Sequence, residues 1–340
     1  MSNYFTKSNH VFIIAEIGNN HNGNKETARK LIDIAAEAGV DAVKFQTFRG
    51  IDITIPGVKA NEYKGWNAEG FEYWYQFLDS IALPLEHHKE VFEYANNKGL
   101  IAFSSPSSPY TVDFLEKLDV PCYKIASMDL TNVQLLKTVA STGKPVILST
   151  GMGNDEEINI AIQILRNNEL VLLHCISDYP TKPENVNLMA IKYLKNTFKV
   201  EVGLSDHSIQ NEFAIGAVVL GASIIEKHIT YNRNALEKAE HHFSLEPKEL
   251  NELVISIRTV EKGLGEEKLI RSDNEKLNKF KFRRSLHVNK NLPKGHVLQA
   301  EDVVILRPND GEAPQEYNYF IGQQLKVTLK QWDPLTKKSI

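Results

Sequence analysis

The chain has 340 residues, enough to bury one large core and a small second one. It is 42% apolar and 24% charged, which is ordinary for a globular protein, and its net charge of -4 argues against a nucleic-acid binder, which is usually basic. No run approaches the about 18 consecutive apolar residues of a membrane span, residues 1–10 hold no apolar signal core, and Cys122 and Cys175 sit in apolar runs, as expected of buried thiols in a reducing compartment. A cytoplasmic protein is the expectation.

Short apolar runs alternate with longer amphipathic ones. Residues 11–17, 40–46, 100–104, 122–127, 146–150, 170–176, 200–205 and 222–228 read as strands. Helical patterns lie between most of them, at 25–38, 85–98, 133–141, 155–166 and 209–220, and a last one at 246–263. Gly39 is placed to end the first helix, and Asn154 to cap the one that starts at Asp155. Eight such repeats within residues 1–265 predict a (β/α)8 TIM barrel in preference to a doubly wound sheet.

The stretch from Phe48 to Leu85 is too long for a plain connection. It carries Tyr63, Trp66, Phe71, Tyr73, Trp74 and Tyr75, and reads as a lid or substrate loop, or as an insertion covering the barrel. Residues 266–284 are highly charged without an apolar period and read as a linker. Residues 285–340 read as a small β-rich domain, with strands at 286–288, 303–306 and 325–329.

In such a barrel the chemistry sits at the carboxyl ends of the strands. The first strand ends at Glu16, near His21. In the second, alternation turns Val43 and Phe45 toward the helices and Lys44 and Gln46 inward. Lys124 repeats the pattern in the fourth strand, followed by Ser127 and Asp129. Ser149, Ser177, Tyr179 and Ser205 come at or beyond later strand ends. A buried lysine needs an anion, so two of them with hydroxyls suit a phosphate or a phosphorylated carboxylate, unless barrel carboxylates pair them. His207 and His228 end neighbouring strands, where two imidazoles can share a divalent cation. Glu226 faces the same interior, as a ligand or a ligand's partner; His21, His241 and His242 are less defined. His174 and Cys175 are adjacent on a strand and point apart, which makes a joint metal site improbable.

The chain resembles the sialic acid (nonulosonic acid) synthase family. The resemblance rests on Ala15-Glu16-Ile17-Gly18, Asn20-His21-Asn22-Gly23, Val43-Lys44-Phe45-Gln46-Thr47, Ser104-Ser105-Pro106 and Tyr123-Lys124-Ile125-Ala126-Ser127. It continues through Leu148-Ser149-Thr150-Gly151-Met152, Tyr179-Pro180-Thr181, Gly203-Leu204-Ser205-Asp206-His207-Ser208, Glu226-Lys227-His228 and Arg307-Pro308, in order over nearly the whole chain. It implies a barrel plus a C-terminal antifreeze-like (SAF) domain in a domain-swapped homodimer. The reaction implied joins phosphoenolpyruvate to an open-chain N-acetylated hexosamine, giving a nine-carbon 2-keto sugar acid and phosphate, with a divalent cation, typically manganese (Mn2+).

By the same resemblance Lys44, Lys124, Ser127, Ser149 and Ser205 hold phosphoenolpyruvate, with Ser177 where some members have asparagine. His207 and His228 bind the metal, and Glu16 is the candidate for handling the protons of water. Gln46, Tyr179 and Asp129 line the pocket, and Arg307 of a second copy meets the acyl end of the sugar. Three departures fall at the sugar end: Asp129 for a frequent glutamate, Glu240 (after Ala239) for an aspartate, and Asn309-Asp310-Gly311 after Arg307-Pro308. They leave the acceptor open between N-acetylmannosamine and a 2,4-diacetamido-trideoxyhexose, which would give pseudaminic or legionaminic acid. A non-catalytic carbohydrate-binding barrel, and a barrel condensing phosphoenolpyruvate with an aldose phosphate, are the competing readings.

Overall fold

A computed structural model describes residues 5, 10–62, 68–235 and 240–340; Tyr63, Trp66 and Ala239 lie outside the described residues. It divides into two units, Met1–Gly265 and Glu266–Ile340.

The first unit is a closed barrel of eight parallel strands in sequential order. They are β1 (Phe12–Gly18), β2 (Ala42–Thr47), β3 (Ile101–Pro106), β4 (Tyr123–Ile125), β5 (Val146–Ser149), β6 (Leu170–Cys175), β7 (Glu201–Asp206) and β8 (Ile224–His228). Each expected strand is present within a few residues, and β8 closes on β1 through the pairing of Phe12 with Ile224. The first barrel helix, Lys25–Ala38, starts where the Asn24 side chain accepts from the Glu26 and Thr27 amides. It ends where Gly39 takes a φ of 78°, a left-handed turn that favours glycine. Asn154 and Glu157 form a reciprocal cap on the helix Asp155–Ile164.

Two barrel helices escape the periodicity argument. Pro109–Glu116 has only 8 residues, and Ala190–Phe198 buries only Ile191 and Leu194.

Alternation along the strands sorts the core. One set of side chains, among them Val43, Phe45, Tyr123 and Leu204, packs between barrel and helices. The other points inward, and its amino-terminal half is apolar: Phe12, Ile14, Phe103, Ile147, Leu173 and Ile224 form one cluster with Phe5. The polar inward residues therefore occupy only the carboxyl-terminal half of the barrel.

The segment after β2 folds on itself. Its helix Trp74–Ile81 and residues Phe48, Ala60 and Ala68 build a core of their own, with Trp74 stacked on Phe77 at 4.8 Å. It is a packed insertion.

In the second unit β9 (Ser285–Val288) pairs antiparallel with β10 (Val303–Leu306) over a small apolar cluster. The expected strand at 325–329 is absent: isolated bridges join Leu329 to Leu292 and Gln324 to Val297. Within the stretch read as a linker, Asp273–Phe282 is a helix. It buries no residue, so no apolar period marks it. The Ser272 side chain caps it, and a Lys276–Asp273 pair at 2.8 Å supports it.

Candidate active site

A cavity of about 550 Å³ opens at the carboxyl ends of the strands. It brings together Glu16, Lys44, Gln46, Lys124, Ser127, Asp129, Ser149, Ser177, Tyr179, Ser205, His207, His228 and Glu240. Of the residues singled out in the sequence for substrate, metal or catalysis, Arg307 alone is not among its lining. It lies just beyond β10 in the second unit, exposed, with its guanidinium 5.4 Å from the Phe282 ring centre.

The floor is a buried ionic network. Lys44 Nζ lies 2.7 Å from Glu16 Oε2 and 3.7 Å from Glu226 Oε2, and it donates to Ser105 Oγ at 3.2 Å. Lys124 Nζ lies 3.5 Å from Glu226 Oε1, which also accepts from Ser205 Oγ at 2.7 Å. Gln46 Nε2 donates to Glu16 Oε1 at 3.0 Å, and Asn19 Nδ2 to Gln46 Oε1 at 3.1 Å. Both alternatives for the lysines are therefore met at once: they face the cavity and they face carboxylates.

Burial opposes the charge on Lys44, but Glu16 and Glu226 outweigh it and hold its pKa above the usual lysine value. Burial, with Lys44 nearby, pulls Lys124 down against the attraction of Glu226. Glu226 itself is held at about 2, because Lys124, Lys44 and Ser205 together overcome its burial. Glu226 faces inward as alternation requires, and it serves as the common partner of two lysines and a serine.

Polar atoms without a hydrogen-bond partner ring this floor: Ser149 Oγ, Ser107 Oγ, Asn19 Oδ1 and Asp129 Oδ2 are all buried. Such atoms in a cavity mark where a polar ligand would be bound. Burial pushes the Asp129 carboxyl up, although Asn132 donates to its Oδ1 at 2.9 Å. Two glycines keep the space open. A Cβ on Gly151 would meet Ser127 Oγ and Ser177 Oγ at 2.7 Å each. A Cβ on Gly18, whose φ is +53°, would lie 2.7 Å from Glu240 Oε2.

The imidazoles adjoin this floor: His207 Nε2 lies 3.5 Å from Ser205 Oγ. The rings of His207 and His228 are 5.3 Å apart between centres. His207 Nδ1 is 2.8 Å from the Ile176 carbonyl oxygen, so it carries a proton and donates it; in the neutral ring the lone pair is then on Nε2. His228 Nδ1 lies 3.1 Å from Glu240 Oε2. Burial raises the Glu240 pKa, but His228, then His207 and Lys44, hold it low. Among the described residues, no three His, Cys, Asp or Glu side chains are arranged to hold one ion.

The remaining histidines fall outside the cavity lining. His21 is buried against Phe45 and accepts from the Gly23 amide at 3.0 Å, His241 lies 2.7 Å from Thr230 Oγ1, and His242 is exposed. His174 and Cys175 do point apart: His174 bonds the Val186 carbonyl at 2.7 Å, while Cys175 faces the cavity, 3.9 Å from His207 Nδ1.

Sequence reasoning left several lining residues out of the site. Ser105 was findable, since it pairs in register with Gln46 on the adjacent strand. Phe48, Ile53, Trp74 and Leu78 come from the insertion, while Phe243, outside the lining, packs on His228 at 4.9 Å and on Tyr179 at 5.2 Å between ring centres. Trp74 belongs to the aromatic stretch read as a lid or substrate loop; no local pattern marks Phe48, Ile53, Leu78 or Phe243, because distant segments bring them to the site.

The fold and the cavity define a class of protein: a barrel enzyme whose strand ends carry a floor of buried lysines, carboxylates and hydroxyls beside a pair of imidazoles. A model of the NeuB family matches residues 31–269, one of the SAF domain matches residues 283–340, and the chain belongs to the NeuB family. It is an enzyme of the nonulosonic acid synthase type, as the sequence motifs indicate. It is 38% identical to the N,N'-diacetyllegionaminic acid synthase of Legionella pneumophila, over 94% of this chain and 91% of that protein. It is 37% identical to the pseudaminic acid synthase of Campylobacter jejuni, over 97% of each. The crystal structure of an N-acetylneuraminic acid synthetase from Leptospira borgpetersenii superposes with a TM-score of 0.70 at 34% identity, over 79% of this chain and 90% of that one.

No helix among the described residues is long and apolar enough to cross a membrane.

Proposed function

We propose that this enzyme condenses phosphoenolpyruvate with an open-chain N-acylated amino sugar, releasing phosphate and a nine-carbon 2-keto sugar acid. One observation supports this most strongly: two buried lysines and unpartnered hydroxyls share a cavity with two imidazoles. That combination suits an anion and an aldehyde held side by side.

Lys44, Lys124, Ser127, Ser149, Ser177 and Ser205 would hold the phosphate and carboxylate of phosphoenolpyruvate. As the anion enters, its charge takes over part of the pairing that Glu16 and Glu226 give the lysines. Asp129, Gln46, Tyr179 and Glu240 would orient the acceptor, with Arg307 reaching its acyl end from a second copy of the chain. Positioning supplies much of the rate, because the two reacting carbons must lie within about 3.5 Å of each other.

The methylene carbon of phosphoenolpyruvate bonds to the aldehyde carbon, and the aldehyde oxygen takes up a proton. Water adds to the electron-poor C2 and gives up a proton to Glu16. The bond between C2 and the phosphate-bearing oxygen then breaks, its electron pair leaving with phosphate while the C2 hydroxyl passes its proton to the departing phosphate, which leaves a ketone and hydrogen phosphate. His207 and His228 would give a divalent cation, manganese in the family resemblance, two nitrogen ligands, with its other positions left to substrate oxygens or water. The Nδ1–H bond to Ile176 leaves Nε2 of a neutral His207 ring to the ion, and Glu240, 3.1 Å from His228 Nδ1, adds negative charge. When bound, such an ion acts as a Lewis acid toward the aldehyde.

Two acceptors fit this reading, N-acetylmannosamine and a 2,4-diacetamido-trideoxyhexose; the relatives named for legionaminic and pseudaminic acid favour the second. The test is phosphate release from phosphoenolpyruvate with manganese, offering each sugar separately. Release dependent on one of them is expected; none with any acceptor would refute the reaction.

A further inference from the structure

The cavity has two chemically different sides. Lys44, Lys124 and the strand-end serines form one. The other includes Phe48, Ile53, Trp74 and Leu78, all supplied by the insertion after β2. These four have aliphatic or aromatic faces, while the hydroxyl and carboxylate partners named above come from the barrel strands and their ends.

This apolar side is built rather than incidental. Phe48, Trp74 and Leu78 are among the buried residues of the insertion's own core, and Ile53 packs against it, half-buried. Trp74 is stacked on Phe77, and Leu78 follows one turn after Trp74 on the same helix. A wall fixed in this way cannot readily turn a polar group toward a ligand. A sugar hydroxyl pressed on it would lose water and gain no partner, whereas a methyl group would lose nothing.

Resting on the reaction proposed above, we infer that Phe48, Ile53, Trp74 and Leu78 form a methyl-receiving wall that selects the acceptor sugar. The methyl has two possible sources, a deoxygenated chain end or the methyl of an acyl group. Both present the same chemistry, and the experiment separates them. On this inference the acceptor is chosen by an apolar contact from the insertion, in addition to the polar residues at Asp129, Glu240 and Arg307.

The test compares kcat/KM by phosphate release in the full-length wild type, Ile53→Asn and Leu78→Asn. Ile53→Asn is the safer variant because Ile53 is half-buried; circular dichroism and melting establish that each variant is folded. Three acceptors are offered: one with a terminal methyl, its hydroxymethyl counterpart, and the terminal-methyl sugar with N-formyl in place of N-acetyl. Apolar pockets discriminate such pairs by about 10- to 100-fold.

The expected result is a wild-type preference of about 10-fold or more for the methyl-bearing member of one pair, falling toward 1 in Ile53→Asn. The pair whose ratio collapses names the methyl: the terminal pair a deoxy carbon, the acyl pair an acetyl group. Ratios unchanged within twofold in folded Ile53→Asn, with phosphate still released, would overturn the wall and leave the reaction standing. Absence of phosphate release in the wild type with every acceptor would overturn the reaction and the wall with it.

Discussion

Lys227 Nζ lies 2.6 Å from Asp206 Oδ2, and the two side chains are 1% and 2% exposed. The residues pair in register across β7 and β8, on the side of the sheet opposite Glu226 and His228. The ammonium also donates to the carbonyls of Ser208, at 2.7 Å, and Gln210, at 2.8 Å. This ion pair ties down the chain on both sides of His207. Lys227→Met leaves a buried carboxylate without its cation, which costs about 3–5 kcal/mol in comparable cases. Denaturant unfolding should show that loss, with part of it recovered in the double variant with Asp206→Leu; equal stability of Lys227→Met and wild type would refute the account.

Gly151 borders the serines proposed to hold the anion. In Gly151→Ala the new methyl would press on Ser127 Oγ and Ser177 Oγ. The KM for phosphoenolpyruvate should rise about 10-fold or more, by the 1.4 kcal/mol-per-decade relation, while the melting temperature changes little. An unchanged KM would show that the anion sits elsewhere.

His207→Ala removes the imidazole whose Nε2 lone pair is held by the Ile176 bond. The expected outcome is loss of tight manganese binding, read from the electron paramagnetic resonance of free Mn2+, together with loss of metal-dependent turnover. Retention of both by the variant would remove His207 from the metal site.

Acid should weaken the two units in different ranges. Burial lowers His88 to about 4 and His21 to about 3, from about 6.5 when unfolded. Both folded values are depressed, so the unfolded chain takes up protons first. The stability this gives is complete above pH 6.5 and is lost as the pH falls from there toward 4 and 3, by about 3 kcal/mol for His88. In the second unit burial opposes the charge of Asp302, but Lys290, the Gln299 amide and His296 hold its pKa at about 2. Its contribution is lost only below about pH 4. Unfolding free energies measured from pH 7 to 3 should fall first in the barrel; a barrel indifferent to pH between 6.5 and 4.5 would contradict the His88 assignment.

Arg307 tests the use of a second copy of the chain. Arg307→Ala should impair turnover despite lying in the other unit, and so should Lys124→Met. Mixing the two inactive variants should restore part of the activity if one copy's Arg307 serves the other's barrel. No rescue, in a mixture shown to exchange subunits, would exclude that arrangement.

Much of this protein was legible in its sequence because strand alternation is a local rule. A period of two placed Lys44, Lys124, Glu226 and His228 inside the barrel and Phe45 outside it, and regular strand–helix repeats set the barrel. What alternation cannot give is pairing across the barrel. That Glu226 meets Lys44, Lys124 and Ser205, rather than His228 on its own strand, depends on how the strands stagger on closure. The helix at Asp273–Phe282 was hidden for another reason, since a helix with no buried face carries no apolar period. The insertion shows the limit most plainly: its aromatic residues announced a substantial element after β2, but only its folding onto its own core sets Phe48 and Trp74 against the cavity. The sequence determined the chemistry of the site, because residue types and their period are written along the chain. The tertiary structure decided which charges neutralise each other and which apolar side chains line the cavity, because those contacts join residues far apart in sequence.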